Sequence, residues 1–556
     1  MHAFLYCQKT DQSFDAIKNL SSSLKEIYPK QSVLNFYSSK KFNFSLDKST
    51  NLITVTQDYC DQYVGLVKNS SAFSYRYYDS YSTKISGFQL KKSSPDLRFY
   101  KKCGDYEIDG IFYHDNKSCI YRLEFPEIGD NARIQTKLTT KDSRYLPTIY
   151  LTENNYLLRA NVEFNIPKNL DIEILEYNLD TSIITKEISH AKNGKTIIYS
   201  IKNLEAANYE NISGPSWVFP HLVIITKGYW QNGEHINLFN DYQNLYKWLT
   251  ELLPVYKKYQ KVNRIINDLE LDNKSDKEKI NAILNWVQKN IRYIAFEDGI
   301  AGFKPESVNL VLDHHYTDCK GMANLMYFLL KDINIDARRC WVGTDRLMYT
   351  EKIPSLSVDN HMICAVKTDT GFLYLDATDK YSKIGEPLEN LQGRIIAIEN
   401  NGNTIIDTIL STPYFTNQIN STAYIHQDSA SLKILRNISY IGTNKKLIQG
   451  LITEYFGSEK EDYIQQIFKG TNNKFQIDST SFWEDEYTYN IKLNITGKNL
   501  SFKQGKKIFI PLDYEYGGKL NAIDTTRNIN FSNDFRQQKN YTSYFYLKNG
   551  QSVNYL

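Results

Sequence analysis

The chain has 556 residues, 41% of them hydrophobic and 23% charged, a composition that excludes a disordered protein and a single small core. Its 66 Lys and Arg against 63 Asp and Glu leave a net charge of +3, too small to argue for nucleic acid as a partner. No stretch approaches the roughly eighteen consecutive apolar residues of a membrane-spanning helix. Length alone predicts three or four domains. The 43 tyrosines against 13 prolines favour strands.

Residues 1–235 read as an N-terminal antiparallel β-sandwich domain. Met1 to Cys7 has neither a basic n-region nor a long apolar h-region, so no secretory signal is visible, and Cys7 is a candidate for lipid modification. Phe14 to Tyr28 reads as a helix or lead-in. Strand candidates follow at Leu52–Thr56, Ser118–Phe125, Leu158–Ile166, Ile197–Ile201 and Leu222–Ile225. Turn signals such as Asp115-Asn116 and Lys192-Asn193-Gly194 separate them. Many strands without intervening helices argue for packed antiparallel sheets. No catalytic constellation occurs here, and a structural or partner-binding module is the expectation.

Residues 236–272 change texture and read as a helical connection. Leu238–Leu253 and Val255–Leu269 look helical, broken at Pro254. Within residues 273–400, Ser275-Asp276-Lys277-Glu278 is a capping box. It opens a helix with Ile280, Ile283, Leu284, Val287 and Ile291 on one stripe. Gln288 on this helix is a candidate oxyanion donor and Trp286 a candidate site wall, although a solvated helix face is the commoner fate of such an amide.

Asp318 is a good N-cap, and Cys319–Lys331 reads as a helix with Met322, Leu325, Met326, Leu329 and Leu330 on its buried face. Cys319 therefore falls on the first turn, where free backbone N–H groups and the helix dipole favour a thiolate. The N–H of Cys319 itself is the better oxyanion donor. Asn360–Val366 and Gly371–Thr378 read as strands joined by a turn at Thr368-Asp369-Thr370-Gly371. A turn centred between Asp369 and Thr370 sets His361 opposite Thr378, with Asp376 its diagonal neighbour. One centred between Thr368 and Asp369 sets His361 opposite Asp376. Both let the carboxylate reach the imidazole, whereas a turn centred on Asp369 alone puts them on opposite faces. Cysteine on a helix start with His and Asp on adjacent strands is the generalised triad geometry. His314 and His315 precede the cysteine in what reads as a loop. Asp379 has the opposite strand parity from Asp376.

These residues carry a resemblance. Trp286, Asn290-Ile291-Arg292-Tyr293, Glu297, Gly299, Pro305, Val311-Leu312, Asp318-Cys319-Lys320, Ala323-Asn324-Leu325, Asn360-His361 and Leu375-Asp376-Ala377-Thr378 cover about a hundred residues. The stretch resembles the transglutaminase-like superfamily of papain-type cysteine enzymes. More narrowly, it resembles bacterial multidomain proteins that carry this core between two β-rich domains of uncharacterised function. Thr317 departs from the pattern, which would have Gly before the Asp-Cys pair. The resemblance implies a transglutaminase-like α+β core at 273–400, with Cys319 as nucleophile, His361 as general base and acid, and Asp376 orienting His361. It also implies a bacterial, periplasmic or cell-envelope protein.

From residue 401 to 556 the chain reads as a C-terminal β-rich, sandwich-type domain, with Tyr489–Ile495 alternating cleanly and one helix over Lys446–Phe468, broken near Gly457. Ser552 to Leu556 has strand character, and both ends of the chain are open to extension. Seven cysteines occur without a CxxC pair or a zinc pattern, so neither metal nor cofactor is expected. Cys103 and Cys119 flank a strand-turn-strand segment and could pair in an exported protein. Cys340 and Cys364 read as small buried hydrophobes.

The chain as a whole is expected to be a multidomain α+β cysteine amide-bond hydrolase, a peptidase or amidase acting on a protein or peptide. The alternatives are acyl transfer to a lysine-like amine, and a non-catalytic scaffold whose β domains grip a glycan, peptidoglycan or protein.

Overall fold

A computed structural model of the chain describes residues 13–553 apart from 80, 106–115, 209–213, 295–301, 350–351, 387–388, 429–430, 454–467, 469–474, 499–501, 505–506 and 510–534. Met1 to Cys7, Asp115, Glu297 and Gly299 lie outside the described residues. The chain divides into two compact units, 1–380 with 394–409, and 381–393 with 410–556.

The first unit begins with a seven-stranded sheet. Its spatial order is Ile184–Ala191, Gly194–Leu204, Tyr156–Pro167, Val33–Asp47, Leu52–Gly65, Asn131–Thr140 and Thr83–Lys92. Neighbours run antiparallel except Val33–Asp47 and Tyr156–Pro167, which are parallel because the chain passes through several other strands between them. Strict period-two burial along Tyr156–Pro167 sends Val162, Phe164 and Ile166 inward. One core packs Phe42, Phe44 and Phe164 against Ile172, Leu222 and Ile224 of a four-stranded sheet. A second core packs Tyr63 and Ile134 against Tyr121, Leu123 and Phe125 of a three-stranded sheet. In that small sheet Cys103 and Cys119 lie opposite one another and are joined as a disulfide. The helix Phe14–Ile27, capped by Ser13, lays Ile17 and Leu24 on Leu34 and Val64.

The strand His221–Gln231 is buried on both faces, which is why its sequence runs Leu-Val-Ile-Ile without alternating. Leu222 and Ile224 enter the sandwich core, while Val223 and Ile225 pack on Tyr349, Ile353 and Val358. Those last three residues belong to the segment that leads into His361. Trp217 donates its indole N–H to the carbonyl of Asp345 at 2.6 Å and fastens the same segment.

The connection to the core is less helical than its sequence suggests. The helices are Tyr242–Glu251 and Gln260–Asp268, and the residues between them are irregular. Pro254 donates no N–H, Val255 is 85% exposed, and Arg339 takes the Pro254 carbonyl at 2.8 Å. The helix Asp276–Asn290 then opens on the Ser275/Glu278 capping box. The helix Cys319–Asp332 is buried all round from Cys319 to Leu330, not on one face. It packs on a five-stranded antiparallel sheet on one side and on three helices elsewhere. The sheet order is Gly371–Leu375, His361–Thr368, Ala337–Val342, Ile395–Asn400, Asn403–Thr408. The last strand carries the core sheet past the expected boundary at 400.

The second unit holds a five-stranded sheet, ordered Phe475–Glu484, Thr488–Lys498, Ser431–Ile441, Gln418–Asp428, Gln538–Tyr546, with the last pair parallel. Ile448 and Ile452 of the helix Thr443–Thr453 close its core, forming the second layer among the described residues. The expected continuation of that helix through Gly457 lies outside the described residues.

Candidate active site

Cys319 is the first residue of its helix. Asp318 caps it by accepting the Gly321 N–H at 2.9 Å. The carbonyl of Asp318 takes the Met322 N–H, which leaves the Cys319 N–H outside the helix ladder. Asp318 also pairs with Lys320 at 2.5 Å, so the two charges that flank the thiol are buried together. The approach to the cysteine is held by a short parallel ladder, Arg292–Tyr293 on Tyr316–Thr317. Thr317 packs against Gly321, and its hydroxyl reaches Glu306 at 3.3 Å.

His361 begins its strand. Asn360 fixes that start by accepting the Thr344 N–H at 2.8 Å and donating to the Thr344 hydroxyl at 3.0 Å. The hairpin pairs Thr368 with Gly371 and Cys364 with Leu375, so the turn is centred between Asp369 and Thr370. This is the register that makes Asp376 the diagonal neighbour of His361. The ring Nε2 meets Asp376 Oδ2 at 2.6 Å. The other carboxylate oxygen accepts the Thr378 N–H at 2.9 Å and its hydroxyl at 2.7 Å.

Burial opposes charge on the His361 ring, but the Asp376 carboxylate outweighs it through charge and hydrogen bond. Cys319 adds a hydrogen bond and a further attraction, and the imidazole is pushed up to about 10. Burial likewise opposes charge on Asp376, and the His361 charge with the hydrogen bonds of His361 and Thr378 holds that carboxyl below its ordinary value. Cys319, 7% exposed, thus shares its cavity with the His361–Asp376 pair. Since Nε2 is engaged by Asp376, Nδ1 is the ring nitrogen left for the thiol.

Gln288 is buried, not solvated, and donates to the Asp379 carbonyl at 2.8 Å. Trp286 is half-buried on the same helix. Neither lines the cavity at Cys319. The aromatic wall there is Trp341, whose strand reads simply as core in the sequence because Cys340 and Val342 are also apolar. His314 ends the short helix Val308–His314, stacks on Tyr316 and lies 3.9 Å from Glu306. His315 is that helix's left-handed C-cap. Neither histidine lines the cavity. Asp379 lies beyond the strand end at Leu375, so strand parity no longer governs it.

The cavity has a volume of about 390 Å³. It is lined by Cys319, His361, Met362 and Trp341, by Leu245 and Leu249, and by Gln57, Tyr59, Tyr77 and Tyr145 of the N-terminal sandwich. The sandwich is thus part of the site. Among the described residues no group of His, Cys, Asp and Glu could hold a metal ion.

A cysteine on a buried helix start, in one cavity with a histidine that is hydrogen-bonded to an aspartate, is the generalised triad arrangement. Residues 263–377 match the family model described as the transglutaminase-like superfamily, and this region of the chain is a transglutaminase-like domain. No curated protein matches the chain. Among solved structures the chain is similar to a protein of Parabacteroides distasonis ATCC 8503 described as a "putative protease". The two are 14% identical over 87% of this chain and 95% of that one, with a TM-score of 0.51, a likeness of fold. Shorter matches are to "a TGase" (12% identity, 40% and 52% covered, TM-score 0.17) and to a "putative cysteine protease" from Cytophaga hutchinsonii (11%, 58% and 75%, 0.17). At those scores they carry no argument.

Proposed function

We propose that the protein is a cysteine amide-bond hydrolase acting on a protein or peptide, with Cys319, His361 and Asp376 as its triad. The observation that carries this reading is the His361 ring hydrogen-bonded to Asp376 in the cavity that Cys319 also lines. His361 accepts the thiol proton, and the sulfur attacks the amide carbonyl. The oxygen that gains charge lies against the N–H of Cys319. His361 then passes its proton to the leaving amine, and a thioester remains on Cys319. Water, deprotonated by His361, releases the acid and restores the thiol. Asp376 steadies the ring and its charge throughout. An amine in place of water would give a cross-link instead.

The same reading puts the protein in the bacterial periplasm or envelope. The Cys103–Cys119 disulfide supports it, since such bonds persist in oxidising compartments.

The test is alkylation of thiols against pH, read by peptide mass spectrometry on wild type and His361→Ala. Fast alkylation of Cys319 well below pH 8, slowed at least tenfold by the substitution, is the expected result. A Cys319 that reacts like an ordinary thiol in both proteins would overturn the triad and favour a binding scaffold.

A further inference from the structure

Besides Asp318, which is paired with Lys320, the cavity carries a carboxylate that the triad does not use. Asp359 lines it, two residues before His361. Two residues of chain span at most about 7 Å, so Asp359 lies close to His361, just before the strand that His361 begins. Asp359 Oδ2 accepts the Tyr246 hydroxyl at 2.6 Å. Its Oδ1 has no hydrogen-bond partner among the described residues, and Asp359 forms no ion pair among them. The other charged groups of the wall are matched: Lys320 with Asp318, and His361 with Asp376. The cation nearest in influence, Arg394, is committed to the carbonyls of Gly343 and Tyr349 at 2.7 and 2.6 Å. Burial pushes the Asp359 carboxyl up to about 6, a group short of a counter-charge. The cavity lining includes Tyr77, Tyr78 and Trp341, aromatic faces suited to an alkylammonium, and Trp341 packs on Tyr246.

We propose that Asp359 is the specificity-determining residue of the site and binds the free α-ammonium group of a short peptide whose scissile amide lies within the first residues. This rests on the hydrolase reading above. It narrows the substrate class from peptides in general to peptides with an unblocked amino terminus. A cavity of about 390 Å³, lined in part by the N-terminal sandwich, has room for a short peptide segment. Asp359 supplies the fixed charge, and Tyr246 holds the carboxylate in place.

The experiment measures how peptides protect Cys319 of the full-length protein from iodoacetamide, so it needs no turnover. A library of dipeptide and tripeptide amides with free amino termini is compared with the same library N-acetylated. The free library should slow alkylation at least tenfold more effectively than the acetylated one at equal concentration. Asp359→Asn should erase that difference, read in each protein as the ratio of the protected to the unprotected alkylation rate. Equal protection by both libraries overturns the proposal, and this comparison in the wild type stands even where the variant does not fold. A preference that survives in Asp359→Asn also overturns it. So does Asp359-dependent protection by Nα-acetyl-lysine methyl ester without protection by free-terminus peptides, since the carboxylate then serves an amine acceptor. Failure of the hydrolase reading shows elsewhere, as an alkylation rate indifferent to His361.

Discussion

Thr317 and Gly321 share one space: a Cβ on Gly321 would overlap the Thr317 side chain, so the bulk just before Asp318-Cys319 is matched by its lack one turn later. The departure at Thr317 is thus accommodated within the first turn of the cysteine helix. Gly321→Ala should cost about 1–3 kcal/mol in urea denaturation despite the better helix propensity of Ala, because neither side chain can retreat. The double variant Thr317→Gly, Gly321→Ala should recover most of that loss. Additive losses would mean that the two positions are not coupled.

The triad pair has opposite pH signatures. His361 is raised in the folded chain, so its contribution to stability is complete below the ordinary imidazole value of about 6.5 and is lost as pH rises through about 10. Asp376 is lowered, so its contribution is present above the ordinary carboxylate value of about 3.9 and is lost as pH falls through its lower folded value. In nitrogen NMR the His361 ring should stay protonated past pH 8. Asp376→Asn should bring its midpoint down by more than a unit.

Thr378 positions Asp376 through two hydrogen bonds to one oxygen. Thr378→Ala removes the shorter and should cost about 1–3 kcal/mol, since its acceptor is charged. Cys319 alkylation should slow severalfold with a shifted pH profile, and Thr378→Ser should restore both. An unshifted profile would reduce Thr378 to a packing role.

Beneath the cysteine helix, Arg339 grips Glu399 with two nitrogens at 2.8 and 3.0 Å, reaches Asn324 at 3.1 Å and lies 4.1 Å from the centre of the Tyr327 ring. Arg339→Met leaves the part-buried Glu399 carboxylate unpaired and should cost about 2–4 kcal/mol by urea denaturation. Arg339→Lys should be only partly better, because an ammonium cannot reproduce the planar fork.

The parts of the site written in local sequence were legible. Asp318 as a cap, Cys319 on a first turn, the Ser275 capping box and the hairpin register all follow from spacing over a few residues. Gln288, Trp286 and Trp341 were not, because each depends on which face packs where. The Gln288 amide goes to a backbone carbonyl 91 positions away, and Trp341 reaches the cavity only because its strand lies beside that of His361. Asp359 carries no motif at all. Its standing comes from Tyr246, 113 positions earlier, and from the cavity around it.

The doubly buried strand His221–Gln231 bears on how this molecule could be taken apart. A fragment limited to the family-matching stretch, 263–377, would strip Val223 and Ile225 from Tyr349 and Val358 and leave that apolar patch wet. The loop bearing Asp359 and Asn360 would lose its backing, and the thiol cavity one of its walls. A fragment meant to keep this site therefore has to carry the N-terminal sandwich and the strands of 394–409 along with the family-matching stretch. The N-terminal sandwich is thus a structural part of the candidate site and not a separable appendage.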